Sequence, residues 1–233
     1  MRKLRPVVET GYENVLLCRL LLEEKRVSDT SAQGTRGLTV NEIIENCVGR
    51  EKPWYQGCLS HFQFLRYGCP SKEWLIEAFG TSRDDWMQND MPSWLGANAF
   101  YDGVCQAVAS RIDDVYIITT KQQTRFAKAL LDHGMTLNGL DARVSEERIF
   151  GLGTGPKAEV LAMLQEKHAP TPIHFVEDRV ETLEGICKDS RLNDVNLYLC
   201  DWGFNTHAQR ERADQASRIE LIGQERFRAL MSK

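Results

Sequence analysis

Along the first hundred residues, apolar side chains recur at intervals of three and four. Val15, Leu16, Cys18, Leu20, Leu21 and Leu22 make one wide apolar face, and Trp74, Leu75, Ala78 and Phe79 make another. That spacing places side chains on one side of a helix. Between the two, the polar stretch 28–37 (SDTSAQGTRG) is expected to be a loop, and Pro53 and Pro70 punctuate further connections. Strand-like alternation is missing, so residues 1–98 are predicted to be all helical.

The pattern changes at 97–99. Short β-branched runs then alternate with helical segments: 115–119 then 124–132, 148–150 then 156–165, and 173–176 then 182–187. Further strands are predicted at 196–200 and 219–222, before a C-terminal helix. Such alternation predicts an α/β unit over residues 99–233, a parallel sheet covered on both faces. Ligands of such sheets bind beyond the carboxyl ends of the strands.

With 42% hydrophobic and 27% charged residues, the 233-residue chain has an ordinary globular composition. Its net charge is −4, from 29 basic and 33 acidic residues. No global positive field draws in nucleic acid, so an anionic ligand needs a local site. Seven cysteines, at 18, 47, 58, 69, 105, 187 and 200, include no Cys-x-x-Cys pair, which argues against a zinc ribbon or a disulfide framework. They are expected to be reduced and mostly buried. The apolar run 15–22 contains Arg19 and is too short to span a membrane. Residues 6–13 carry two glutamates and no long apolar run, which argues against a signal peptide. The expected address is intracellular and soluble, cytoplasmic by default, with a plastid left open.

Candidate chemistry lies at the strand ends. Thr119, Thr120 and Lys121 follow the first strand, where a phosphate oxygen can be met by hydroxyls and backbone N–H groups together; the plainer expectation is that Thr120 caps the next helix. The second strand leads into Gly151-Leu152-Gly153-Thr154-Gly155-Pro156-Lys157, which lacks the Gly-Lys-Ser/Thr of a Walker loop and the third glycine of the dinucleotide fingerprint. Pro156 is expected at the first helical position. A lysine at a helix start opposes the helix dipole unless an anion lies between; alternatively Lys157 is a solvated turn residue. The third strand delivers Glu177 and Asp178 side by side, hard oxygen ligands suited to Mg²⁺. Otherwise they cap the following helix and pair with Arg179. The fourth strand runs into Asp201-Trp202-Gly203-Phe204-Asn205-Thr206, whose two aromatics offer walls for a pocket. His174 and His207 belong to no metal-ligand spacing and are expected to be structural or solvent-facing.

The order of these features resembles the haloacid dehalogenase superfamily, and within it a phosphoglycolate-phosphatase-like branch of plants, algae and cyanobacteria. The similarity spans nearly the whole chain through residues 5–13 (RPVVETGYE), 100–104 (FYDGV), 118–121 (ITTK), 175–179 (FVEDR) and the 201–206 turn. It implies a helical cap over residues 1–98 and a Rossmann-like core over 99–233. It also implies Mg²⁺-dependent hydrolysis of a small phosphorylated metabolite through an aspartyl phosphate. In that scheme Thr119 binds the transferring phosphoryl oxygens, Lys157 neutralises charge, Asp178 with Glu177 holds Mg²⁺, and Thr120 and Lys121 face the substrate. Cap loops such as 56–67, with Phe62, Phe64 and Tyr67, would set substrate choice.

The family's nucleophile and its acid/base partner form an apolar-Asp-x-Asp-Gly segment on a first core strand upstream of the cap. No such segment occurs here, Met1 falls where the cap-like stretch begins, and Tyr101-Asp102-Gly103-Val104 matches the post-cap turn instead. The core is therefore expected to be incomplete: without the first strand, those ending at Thr119 and Glu177 lose a shared neighbour, so the chain should be poorly stable or rearranged. Three expectations of different class follow. The chain is part of a phosphohydrolase; or it is a non-catalytic protein that binds a phosphorylated ligand or a protein partner; or it shares the fold alone, with caps and surface charges at the strand ends.

Overall fold

The computed structural model describes residues 71–120 and 123–232, together with Cys18 and Leu22 as helical positions. The rest of the 15–22 segment, the 28–37 loop and the 56–67 loop lie outside the described residues. The chain divides into two compact units, 1–91 and 92–233. In the first, α1 (Lys72–Asn89) opens on Ser71, whose hydroxyl accepts the Trp74 N–H at 3.1 Å. Of the apolar face expected there, Leu75 is buried, Ala78 and Phe79 are half-buried, and Trp74 is exposed. The break comes before the expected 97–99 because α2 (Met91–Gly96) sets Trp94 edge-on to Phe126, with ring centroids 6.1 Å apart, within the second unit.

The second unit is α/β with parallel strands, the class its alternating pattern predicts. Its elements in order are α3 (Val104–Ser110), β1 (Ile117–Ile118), α4 (Thr124–Leu137), β2 (Ile149–Phe150), α5 (Lys157–His168), β3 (His174–Glu177), α6 (Val180–Cys187), β4 (Asn196–Cys200), α7 (His207–Gln215), β5 (Ile219–Ile222) and α8 (Gln224–Met231). The strands form two sheets. In one, β1 pairs with β2, Ile117 opposite Ile149; in the other, β4 lies between β3 and β5, with Phe175 opposite Leu197 and Leu197 opposite Ile219. β1 and β3 do not pair. β4, covered on both faces, has four consecutive buried residues, the continuous apolar run typical of a central parallel strand.

Among the described residues, three cores hold the unit together. Leu161 of α5, Leu183 and Ile186 of α6 and Ala213 of α7 pack on Phe175, Leu197 and Leu199. On the opposite face, Ala107, Tyr198, Ile222 and Phe227 pack together, with Val104 and Val176 at the margin. Under β1 and β2 the core is Cys105, Val108, Ala127, Met135 and Ile149, with Val104 and Ile117 against it. Cys105 and Cys200 are buried free thiols and Cys187 is a half-buried one. No helix among the described residues is long and apolar enough to cross a membrane.

The helix after Thr119 runs past the expected Asp132 to Leu137. Gly134, within this helix, admits the Phe100 ring: a Cβ there would lie 2.5 Å from Phe100 Cδ2 and overlap Cε2. Gly134→Ala is expected to lower stability by about 1–3 kcal/mol, overpacking outweighing the gain in helix propensity. Urea unfolding against wild type checks this.

Candidate functional site

The carboxyl ends of β1 to β4 carry the site. β1 is followed by Thr119, whose N–H donates to Phe150 O at 2.8 Å and registers it beside the start of the β2 turn. That turn is closed by Thr154, which donates from Oγ1 to Gly151 O at 2.7 Å and from N–H to the same oxygen at 3.1 Å. Gly153 and Gly155 have φ of +99° and +106°, positions that L side chains rarely adopt. Leu152 is left exposed. Pro156 is the N-cap of α5 rather than its first residue, with ψ of 143°, so the helix starts on Lys157 itself.

Lys157 is not a solvated turn residue. Its side chain is only 19% exposed, and Nζ donates to Glu177 Oε2, forming an ion pair between the β2 turn and the end of β3. The anion that a lysine at a helix start requires is therefore Glu177. Glu177 is 7% exposed, and its Oε1 accepts the Arg179 N–H at 3.2 Å. Burial pushes its carboxyl above the ordinary range, Lys157 pulls it back, and neighbouring Asp178 adds to the rise. The Arg179 guanidinium does not join this group; it lies 4.0 Å from Glu181.

Asp178 is half-buried and held by the turn after β4. Its Oδ2 accepts the Phe204 N–H at 3.2 Å, and Asn205 Nδ2 donates to Asp178 O at 3.1 Å and to Cys200 O at 2.8 Å. Asn205 is itself buried and its Oδ1 accepts from Arg210 Nη1 at 2.9 Å. Gly203 packs directly on Asp178. Cys200 lies in the same pocket of charge, its thiol pushed up to about 12 by burial and by Asp178 and Glu177. Sequence reasoning missed Asn205 and Gly203 as positioning residues; the signal was a small residue and an amide in a strand-end turn directly after a buried run. Asn205→Ala strands the Asp178 and Cys200 carbonyls, with an expected loss of about 1–3 kcal/mol in chemical denaturation.

Thr120 is exposed and does not cap α4, whose N-cap is Gln123; Lys121 lies outside the described residues. Of the two aromatics in the turn, Trp202 packs on Phe227 with ring centroids 5.6 Å apart, while Phe204 is exposed at the rim. His174 stacks on Tyr198 with Nδ1 2.9 Å from its hydroxyl, and His207 faces solvent beside Glu211.

Mg²⁺ commonly takes one or two carboxylates and fills its other positions with water and phosphate oxygens. Asp178 fits the first part of that need, as a half-buried carboxylate fixed by the Phe204 N–H. Glu177 fits less well because Lys157 already occupies its carboxylate. Among the described residues no group of three or more His, Cys, Asp or Glu side chains is arranged to hold a metal ion. Comparison of the chain with protein-family models, with curated proteins and with solved structures found no match, so the site rests on its own geometry.

Proposed function

We propose that this chain carries the phosphate-recognition part of a haloacid dehalogenase-like phosphohydrolase with a Rossmann-like core and an N-terminal helical cap. Its ligand is a small phosphate monoester. The observation that carries this reading is the reach of Lys157 from the β2 turn to the end of β3 at Glu177, beside Asp178, which brings two strand ends together around one cation. Thr119, next to that turn, donates its hydroxyl to a phosphoryl oxygen, and Lys157 turns part of its charge from Glu177 to the ligand. Two carboxylates against one ammonium leave this corner net negative, which disfavours a phosphate dianion. Asp178 would hold a Mg²⁺ ion, whose chemistry there would be to supply the missing positive charge and polarise a phosphoryl oxygen.

A second reading is a non-catalytic protein binding the same ligand. It is favoured by the engagement of both site carboxylates, Glu177 by Lys157 and Asp178 by the Phe204 N–H. Thermal melts with inorganic phosphate, with and without Mg²⁺, combined with a 4-nitrophenyl phosphate assay, test both. Mg²⁺-dependent stabilisation with turnover supports the hydrolase. Stabilisation without turnover supports the binding protein, and no stabilisation removes both.

A further inference from the structure

At the amino ends of β1 and β2, away from the candidate phosphate site, the Tyr116 ring is surrounded by Arg148, Lys167 and His168. Tyr116 precedes β1, Arg148 precedes β2, and Lys167 and His168 end α5. The Tyr116 hydroxyl lies 2.8 Å from His168 Nε2 and accepts from Lys167 Nζ at 3.4 Å. The Arg148 guanidinium carbon stands 5.0 Å from the centroid of the ring, and Lys167 Nζ 5.6 Å from it. Because Nζ is nearer the hydroxyl than the centroid, the ammonium sits off the polar end of the ring while the guanidinium covers its face. Tyr116, Arg148 and His168 are half-buried and Lys167 is exposed, so the cluster opens to solvent at the lysine. β1, β2 and α5 each run from this cluster to the candidate phosphate site, reaching it at Thr119, Gly151 and Lys157.

Two cations held at one half-buried ring repel each other, and an anion between them relieves the repulsion. Among the described residues, no carboxylate forms an ion pair with Arg148 or Lys167. The carboxyl end of α5 offers only about half an elementary charge, less than the two it faces. We infer that the cluster binds a compact oxyanion of two or more charges, a phosphoryl or polycarboxylate group, held between Lys167 and Arg148 beside the Tyr116 hydroxyl. Arg148 brings a planar fork of donors and Lys167 a point charge, a combination that suits either kind of anion. The anion is compact because exposed carboxylates at Asp113, Asp114, Glu146, Glu147 and Glu166 flank the cluster along the chain. An extended polyanion such as nucleic acid would run onto them.

The inference is independent of the phosphate reading, and its test separates the two. The full chain is titrated with inorganic pyrophosphate and with citrate, each without Mg²⁺ and against sodium chloride of equal ionic strength, while the aromatic NMR signals of Tyr116 and His168 are followed. Saturable shifts at both rings are expected with at least one of the two anions and not with chloride, and the tighter anion names the group the site takes. Arg148→Gln combined with Lys167→Gln should weaken binding about tenfold or more, since each removes a charged hydrogen bond. Lys167→Gln alone, at an exposed position, should weaken it severalfold without moving the urea midpoint, and Asp178→Asn should leave it unchanged. No saturable shift, an equal shift with chloride, or undiminished binding by the Lys167→Gln variant would overturn the inference. Shifts that Asp178→Asn abolishes would assign the anion to the strand-end site and overturn it equally.

Discussion

Replacing Lys157 with alanine is expected to destabilise the chain by about 3 kcal/mol near neutral pH, because it leaves the buried Glu177 carboxylate without its counter-ion. The loss should shrink in acid. Burial raises the folded-state pKa of Glu177 and Lys157 holds that rise in check, so the substitution raises it further. A carboxyl whose folded pKa lies above its unfolded value stabilises the native state most below the unfolded value, about 4.3 for glutamate, and loses that contribution as pH rises through the folded value. The gap between variant and wild type should therefore widen from about pH 4 to pH 7. Urea titrations at several pH values follow it. The double variant Lys157→Ala with Glu177→Gln removes the unpaired charge and should recover most of the neutral-pH loss. A pH-independent loss, or no recovery, would mean that the lysine stem matters more than its charge.

Gly203→Ala is expected to lose about 3 kcal/mol, at the upper end of overpacking effects. A Cβ at residue 203 would overlap the Cβ of Asp178 and lie 3.0 Å from Cys200 Sγ and 3.3 Å from Asp178 Cα. Part of what must yield is backbone, which cannot swing aside as a long side chain does. The strain falls on Asp178, so the Phe204 N–H bond to its Oδ2 should lengthen or break. Gly185→Ala in α6 is the matching control. Its Cβ meets nothing within 4 Å, and the substitution should gain about 0.5–1 kcal/mol from helix propensity. Equal effects at the two glycines would contradict the close approach at Gly203.

The last two strands were legible to the residue because each is a run of apolar residues that ends at polar turn residues. β4 has four buried residues in succession, and β5 keeps Ile219 and Ile222 inward with Glu220 outward to Arg226. The first two strands are shorter than the β-branched runs suggested. Tyr116, read as strand, places its hydroxyl 2.8 Å from His168 Nε2, and Arg148 falls in a short 3-10 turn with its guanidinium over the Tyr116 ring. Strand length there depends on pairing partners, which no local pattern records. Glu177 and Asp178 look equivalent in sequence, yet one is tied to Lys157 and the other to the Phe204 N–H. The difference arises from how α5 and the 201–206 turn meet at the end of β3. Trp202 looked like a pocket wall for the same reason: only its packing on Phe227 shows which way it turns.

The proposed phosphate site is tested most directly by following the NMR signals of Thr119, Lys157 and Asp178 during titration with inorganic phosphate, with and without Mg²⁺. Saturable shifts at all three residues with Mg²⁺, sharply weaker without it and abolished by Asp178→Asn, are the predicted result. Shifts that are absent, that fall elsewhere on the chain, or that survive Asp178→Asn would contradict the account.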